Sequence, residues 1–198
     1  MEQVLSNIEV LLLSIINEKP SYAYEIDKII DNRDMRKWNR IGVASIYQVL
    51  KRLEDKEFVV SQIEKEGKMP DRKRYYITDS GKQAQIQAAK YLLSNFEWFY
   101  LDLNVGLESS DCLTEDEIAN CLMQRLAKVK ANLNRVQEIS SYSREPGFKA
   151  KGIVKTLMYF REAEERFLLE TINDLYGDKG DLLPAISEDL YLFPNNLD

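Results

Sequence analysis

The stretch SIYQVLKRLEDKEFV, residues 45–59, carries hydrogen-bonding and cationic side chains at helical spacing. Tyr47 and Lys51 are four residues apart, and so are Gln48 and Arg52, so each pair lies on one face of a helix. Hydroxyl, amide, ammonium and guanidinium groups donate hydrogen bonds to phosphates and to the base edges of duplex DNA. This face therefore predicts recognition of a polyanion, with an ordinary solvated helix face as the alternative.

A second group of cations follows in a segment that favours strands and a turn. Residues 58–63 (FVVSQI) and 73–78 (KRYYIT) are rich in β-branched and aromatic side chains, and residues 64–72 between them carry Gly, Pro and charge. This pattern predicts a β-hairpin whose cations lie along a phosphate backbone, although lysines at strand edges also prevent aggregation. The cations on or beside the hairpin are Lys65, Lys68, Arg72, Lys73 and Arg74.

The sequence offers little for catalysis. It contains no histidine, so an imidazole general base, a histidine triad and an imidazole metal ligand are excluded. It also has no glycine-rich phosphate loop, and its densest acidic run, residues 162–165, is typical of a solvated helix face. Cys112 and Cys121 are too few for a disulfide framework or a tetrahedral metal site, and we expect Cys121 to pack in the core. We predict no enzyme activity, no cofactor and no metal site.

Two short helices are predicted near the N-terminus. Apolar residues recur at helical spacing from Ile8 to Ile16, and Pro20 disfavours continuation of this helix. The next helix begins at Ser21, a suitable N-cap, with Glu25 in its first turn.

A third helix is predicted from Val43 to Lys56, with Gly42 as its cap. Its buried stripe has the spacing i, i+3, i+4 and i+7. Three short helices followed by a β-hairpin describe a winged helix-turn-helix, in which the third helix reads DNA and the hairpin is the wing. The buried stripe consists of Ile46, Val49, Leu50 and Leu53.

The distribution of charge is compatible with DNA binding, although the net charge of −6 is not favourable in itself. Residues 1–82 carry a formal charge of +1, the remainder −7, and the segment from Arg33 to Arg74 alone +5. Because salt screens charges beyond about 8 Å, a ligand on this segment feels mainly the local field.

The same residues carry a resemblance to a known family. The order LLSIINEKPSYAYEI, ASIYQVLKRLEDKEFV and MPDRKRYYITDSGK resembles the PadR family of bacterial transcription regulators over roughly residues 5–85. The most specific pieces are SIYQVLKRLE and RKRYYITDSG. Where the family often has His-Gly-Tyr at the start of the second helix, this chain has Tyr22-Ala23-Tyr24, which keeps the tyrosine.

The resemblance implies roles for individual residues. It implies that Tyr47 lies near the DNA together with Ala44 and Ser45, and that Tyr24 occupies a position usual for contact with the backbone. It further implies a homodimer, repression of transcription and an effector-responsive C-terminal region. By the same resemblance, the wing includes Lys68, Arg72 and Lys73.

The C-terminal half is predicted to be helical. A long helix runs from about Asp79, capped by Thr78, to Leu103, and a capping box at residues 114–117 begins another. Apolar residues from Ile118 to Val136 follow at gaps of three and four, and a last helix spans about residues 150–176. Periodicity alone does not separate an intrachain core from a dimer seam.

An aromatic cluster closes the long helix and is a candidate effector site. Such side chains can line a pocket between subunits that binds a flat apolar molecule, and ordinary core packing is the alternative. The cluster consists of Phe96, Trp98, Phe99 and Tyr100.

These patterns combine into one interpretation. The fold is mainly α with a small β-hairpin wing: a winged helix-turn-helix DNA-binding domain over 1–82, a connector over 83–112 and a C-terminal helical dimerisation domain over 113–198. The wing and the basic loop 31–41 hold phosphates, Tyr47 and Gln48 read the sequence, and the C-terminal helices set the distance between two reading helices. We expect a cytoplasmic protein without a membrane span. The alternative is a winged-helix protein-interaction module anchored by Trp38, Tyr22 and Tyr24.

Overall fold

A three-stranded antiparallel sheet and seven α-helices form the part of the chain that the structure describes. The structure is a computed structural model and describes residues 5–64, 72–142 and 147–176. The chain divides between Trp98 and Phe99 into two units. The predicted fold class, mainly helical with a small hairpin, is confirmed.

The first unit contains the predicted winged helix-turn-helix. Its buried apolar cluster is formed mainly by α1, α2 and α3 and is closed on one side by Val59 and Tyr75 of the sheet. Its elements are α1 (Asn7–Glu18), β1 (Ser21–Tyr22), α2 (Ala23–Asn32), α3 (Val43–Asp55), β2 (Val59–Glu64), β3 (Arg72–Ile77) and α4 (Asp79–Ser94), with a 3-10 turn over Met35–Lys37.

The sheet has the order β1-β3-β2, and the hairpin of β2 and β3 is the predicted wing. The strand β1 is an element that the sequence did not predict, because two residues give no periodicity. Ser21 pairs with Tyr75 there, and Tyr22 pairs with Arg74. The prediction that Ser21 caps α2 is therefore wrong: Tyr22 is the N-cap, and its backbone N–H donates to Glu25 Oε2 at 2.9 Å.

The C-terminal end of α3 directs the chain into the wing. Glu57 adopts a left-handed conformation (φ 59°), its N–H donates to Glu54 O, and Phe58 N–H donates to Leu53 O at 2.9 Å. This pair of hydrogen bonds is a Schellman motif, which terminates a helix and turns the chain sharply. As a result β2 begins directly beside the end of α3.

Thr78 and Gly81 close the base of the wing. Thr78 Oγ1 accepts a hydrogen bond from Gly81 N as the N-cap of α4, and Thr78 N–H donates to Phe58 O at 3.0 Å. A Cβ at Gly81 would lie 2.0 Å from Phe58 O, a distance that no side chain tolerates. The glycine of RKRYYITDSG therefore permits close contact between α4 and the start of β2.

The helix predicted to run from Asp79 to Leu103 ends at Ser94, so this prediction is wrong in its second half. Asn95 is extended (φ −83°, ψ 145°), and its side chain donates to Tyr91 Oη. The aromatic residues that follow are exposed among the described residues, so little burial favours a helix over them.

The second unit is helical, as predicted. Its buried cluster joins the seam of α6 to the C-terminal half of α7. Cys121 lies one residue before Leu122 of that seam and is exposed, so the expectation of core packing is wrong. The elements are α5 (Asp102–Glu108), a 3-10 turn over Ser110–Cys112, α6 (Glu115–Tyr142) and α7 (Phe148–Tyr176).

Candidate nucleic-acid interface

One face of α3 is buried and the other is open to solvent. The four apolar stripe residues of α3 are at most 1% exposed, whereas Tyr47 is 56% exposed. Gln48, Lys51 and Ala44 are also exposed, and Ser45 is half-buried. Lys51 forms no ion pair within the residues that the structure describes. The face therefore presents hydrogen-bonding groups and one unpaired cation to solvent.

The N-terminal end of α3 belongs to the same exposed surface. Its N-cap, Gly42, has no side chain to accept a hydrogen bond from the first turn, so the positive end of the helix dipole stays open. Arg40 lies two residues earlier, is exposed, and has no ion-pair partner in the described part of the chain. Sequence reasoning did not single out Arg40; its position just before the helix is the signal that identifies it.

The other cations of the basic loop 31–41 have carboxylate partners. Arg33 pairs with Glu18 at 2.6 Å, and Lys37 pairs with Asp34 at 2.7 Å. Arg36 pairs with Asp27 and Asp31, and its Nε donates to Ile41 O at 2.9 Å. These contacts fix the chain that leads into α3, so Arg36 positions this helix rather than offering a free charge to a phosphate.

Arg52 lies near the buried carboxylate of Glu9, which is 3% exposed. Glu9 Oε1 is 2.7 Å from Lys56 Nζ and 3.9 Å from Arg52 Nε. Burial opposes the charge of Glu9, but hydrogen bonds from Lys56 and Ser6 outweigh it and lower the pKa of Glu9. The two cations thus tie the C-terminal half of α3 to α1, and Arg52 is only in part available to DNA.

The wing presents its cations on two sides. Side chains alternate along β3, so Lys73 and Tyr75 lie on one face and Arg72 and Arg74 on the other. Lys73 Nζ is 3.5 Å from Glu54 Oε2 of α3. Lys65 and Lys68, which the sequence placed beside the hairpin, lie outside the described residues.

Arg74 belongs to a polar cluster that joins the wing to the start of α2. Its Nε is 3.1 Å from Glu64 Oε1, and its Nη2 donates to Tyr22 Oη at 2.9 Å. Tyr22 donates in turn to Glu64, and this hydrogen bond raises the pKa of Tyr22. Arg74 is therefore held inside the protein by one ion pair and one hydrogen bond.

Tyr24 and Arg72 lie beside this cluster. The Tyr24 ring stacks on Tyr22 with centroids 5.5 Å apart, and the Arg72 guanidinium carbon is 5.7 Å from the Tyr24 centroid. Lys28 Nζ approaches the same ring to 5.6 Å. The structure thus brings Tyr24 and the wing together, as a surface of aromatic and cationic groups.

Glu54 connects the face of α3 to the wing. It follows Tyr47 by seven residues and Lys51 by three, so the three share one face. Glu54 accepts a hydrogen bond from Ser61 Oγ of β2 as well as contacting Lys73 of β3. Burial raises the pKa of Tyr75, and the charges of Glu54 and Tyr47 raise it further. Residue spacing did not reveal this carboxylate contact.

The candidate effector residues are exposed within the chain. Phe96 and Trp98 form an edge-to-face pair with centroids 5.3 Å apart, and Phe99 forms another with Phe160 at 5.0 Å. Trp98 is 75% and Tyr100 91% exposed. None of the four aromatic residues is packed in a core formed by the described residues, so the alternative of ordinary core packing does not hold there.

Within the described residues, no group of three or more Cys, Asp or Glu side chains is arranged to hold a metal ion. Nor does any helix in the described ranges have the length and hydropathy needed to cross a membrane.

Comparison with known proteins places this site in a family context. The model of the transcriptional regulator PadR-like family matches residues 12–87. An uncharacterised protein from Lysinibacillus sphaericus is 34% identical over 79 residues, which are 40% of this chain and 72% of that protein.

Two solved structures share the fold. Bacillus subtilis PadR in complex with operator DNA is 18% identical with a TM-score of 0.71, over 86% of this chain and 99% of that chain. The same PadR in complex with p-coumaric acid is 18% identical with a TM-score of 0.70, again over 86% of this chain and 99% of that chain. At this identity the likeness concerns the fold alone.

Proposed function

Because the chain belongs to the PadR-like family of transcriptional regulators, we propose that it binds duplex DNA and represses transcription. In this proposal a homodimer occupies a palindromic operator, and its presence blocks transcription. Tyr47, Gln48 and neighbouring groups of α3 read base edges in the major groove, while the wing holds the phosphate backbone.

The observation that carries the proposal is the exposed polar face of α3 beside the wing. Tyr47, Gln48 and Lys51 are exposed on a helix whose opposite side forms the core, so they are free to meet a partner. The wing contacts the same helix through Glu54. One surface thus combines groups that discriminate bases with cations that attract phosphates.

The ion pairs distinguish cations that can contact phosphates from cations that already have carboxylate partners. Arg40 and Lys51 have no ion-pair partner in the described ranges and are the first candidates for phosphate contacts. Arg33, Arg36 and Lys37 of the basic loop have carboxylate partners and contribute less. We therefore assign the loop's phosphate-binding role mainly to Arg40.

A homodimer would account for apolar surface that the described residues leave uncovered. Leu168 and Ile172 in the second half of α7 are buried against α6, whereas Phe148 is 91% exposed in the first half, and Tyr159 and Phe160 are also exposed. Exposed apolar surface of this extent marks association sites. Two α3 helices held about 34 Å apart would reach successive major grooves and combine their binding free energies.

The division of roles follows the chain. Residues 1–82 would bind DNA, residues 83–112 connect, and residues 113–198 associate with the second copy. The matching family is described as one of transcriptional regulators, and we assign no catalytic activity to this chain. A protein that acts on chromosomal DNA would work in the cytoplasm.

A small aromatic effector is a further part of the proposal. The exposed rings of Phe96, Trp98, Phe99 and Tyr100 offer stacking surfaces, and the similar Bacillus subtilis PadR has been solved with p-coumaric acid. An aromatic effector should change Trp98 fluorescence and release DNA. If no compound in a panel of aromatic acids does either, the effector is excluded.

The alternative of a protein-interaction module loses most of its anchors. Trp38 packs against the core, and Tyr22 is 8% exposed and hydrogen-bonded to the wing. Of the three aromatic anchors, only Tyr24 remains exposed.

Footprinting on the DNA upstream of the protein's own coding region, at several salt concentrations, tests the proposal. We expect protection of two half-sites about one helical turn apart, with affinity that falls as salt rises. A uniform loss of signal without a protected site, or no binding at low salt, would contradict it.

A further inference from the structure

Glu54 is an acidic residue on the surface that we propose for DNA. It shares a face of α3 with Tyr47 and Lys51, and its side chain is 32% exposed. Its carboxylate also makes polar contacts with both strands of the wing, through Ser61 Oγ of β2 and Lys73 Nζ of β3. A carboxylate at this place repels phosphates, so its presence in a DNA-binding surface calls for a physical reason.

We propose that Glu54 is a positioning residue that limits the sequence-independent affinity for DNA by restraining Lys73; this inference rests on the proposed function. Glu54 holds the Lys73 ammonium against α3 at 3.5 Å and fixes the wing through Ser61. Part of the attraction of Lys73 for phosphates is thereby cancelled. The cancelled attraction is the same on every DNA sequence, so Glu54 lowers the affinity for all duplexes by a similar factor and leaves base readout unaffected.

The geometry indicates that Glu54 restrains the Lys73 side chain without neutralising its charge completely. The Lys73 side chain is 53% exposed, so water screens the ion pair and the ammonium can still exchange between Glu54 and a phosphate. The hydrogen bond from Ser61 to Glu54 does not require a charge on the acceptor. A glutamine at position 54 would keep an oxygen for Ser61 and remove only the charge that competes for Lys73.

The experiment compares Glu54→Gln with Asp55→Asn as a matched control. Asp55 is the next residue, is exposed, and has no hydrogen bond or ion pair within the described ranges. Both variants change the net charge by the same amount near the same helix end. The affinity of each full-length protein for a random-sequence duplex is measured between about 50 and 200 mM salt.

We expect Glu54→Gln to bind the random duplex about two- to five-fold more tightly than the natural chain, the range typical of an exposed ion pair. Its salt slope should steepen by up to about 0.9, because one more cation becomes free for a phosphate. Asp55→Asn should show a smaller gain and no change in slope. Affinity for the footprinted operator should rise by the same factor as affinity for random DNA, so the specificity ratio should stay unchanged.

The same substitutions made in a Lys73→Gln protein test whether the gain in affinity depends on Lys73. In Lys73→Gln, the further change Glu54→Gln should give no gain beyond that of Asp55→Asn, because the restrained cation is absent. The inference is overturned if the gain persists in that background, or if Glu54→Gln matches Asp55→Asn in affinity and slope. If the natural chain itself binds no duplex DNA at low salt, the proposed function fails instead.

Discussion

Tyr47, Gln48 and Lys51 are each turned away from the core by the same helical period that buries Ile46 and Val49. Their exposure follows from i, i+3, i+4 spacing alone, so the face of α3 was predictable from the sequence. The ion-pair partners were not predictable. Glu9 and Glu64 are distant in sequence from the α3 and β1 groups that they contact, and only the fold brings them together.

The Glu9 carboxylate should make stability depend on acid pH. The pKa of Glu9 is lower in the folded chain than the value of about 4.3 for an unfolded one. The ionised Glu9 carboxylate therefore stabilises the folded chain fully above the unfolded pKa. This stabilisation is lost as the pH falls through the lower pKa of the folded chain. Glu9→Gln should reduce the free energy of unfolding by about 1 kcal/mol at pH 7, since a charged hydrogen bond is removed.

Urea unfolding of the two proteins across pH 3 to 7 checks this expectation, with roughly equal stability anticipated at the acid end. Asp55→Asn, which removes a carboxylate without an ion-pair partner in the described residues, serves as the control. A constant difference between the natural chain and Glu9→Gln at every pH would contradict the assigned role of Glu9.

The elements were predicted better than their junctions. The helix predicted over 43–56 is found as Val43–Asp55, and the hairpin strands lie within one residue of the predicted bounds. Strong periodicity and clear turn chemistry explain this agreement. The end of α4 was missed, because Phe96, Phe99 and Tyr100 continue a helical pattern although they are exposed within the described residues.

The wing as an element should contribute sequence-independent affinity. Replacing Arg72 and Lys73 together by alanine should weaken binding to every duplex and reduce the salt slope by about 0.9 for each phosphate that the variant no longer neutralises. Restraint by Glu54 means that Lys73 should contribute less than a free cation. Salt titrations of operator and random DNA measure both effects.

A double replacement of Lys82 and Lys90 by alanine is the charge-matched control, because both are exposed on α4 rather than on the wing. If the control and the wing variant have the same slope, the wing does not contact the backbone.

At the scale of the whole molecule, the charge is divided between the two halves. The excess of seven acidic groups beyond residue 82 keeps the net charge at −6, while residues 1–82 stay slightly basic. Long-range steering toward DNA should therefore be weak, and specific contacts should carry more of the binding. The sequence predicted this division, but not which cations are paired with carboxylates.

The molecule should be a dimer at the concentrations at which it binds DNA. Sedimentation equilibrium should give a mass twice that of the 23.1 kDa chain. Phe148→Asp should shift the equilibrium toward single chains, since it places a charge on an exposed apolar surface of α7 that we assign to the interface. A natural chain that stays at 23.1 kDa while it protects two half-sites would contradict the dimer.

The central claim, that α3 reads base edges, is tested most directly by the affinity of Gln48→Ala for the footprinted operator and for duplexes substituted at each base pair. Gln87→Ala, an exposed glutamine on α4, is the matched control. We predict that Gln48→Ala loses about 1 to 3 kcal/mol of preference at one base-pair position and keeps its affinity for random DNA. Equal losses on every duplex would contradict readout by α3.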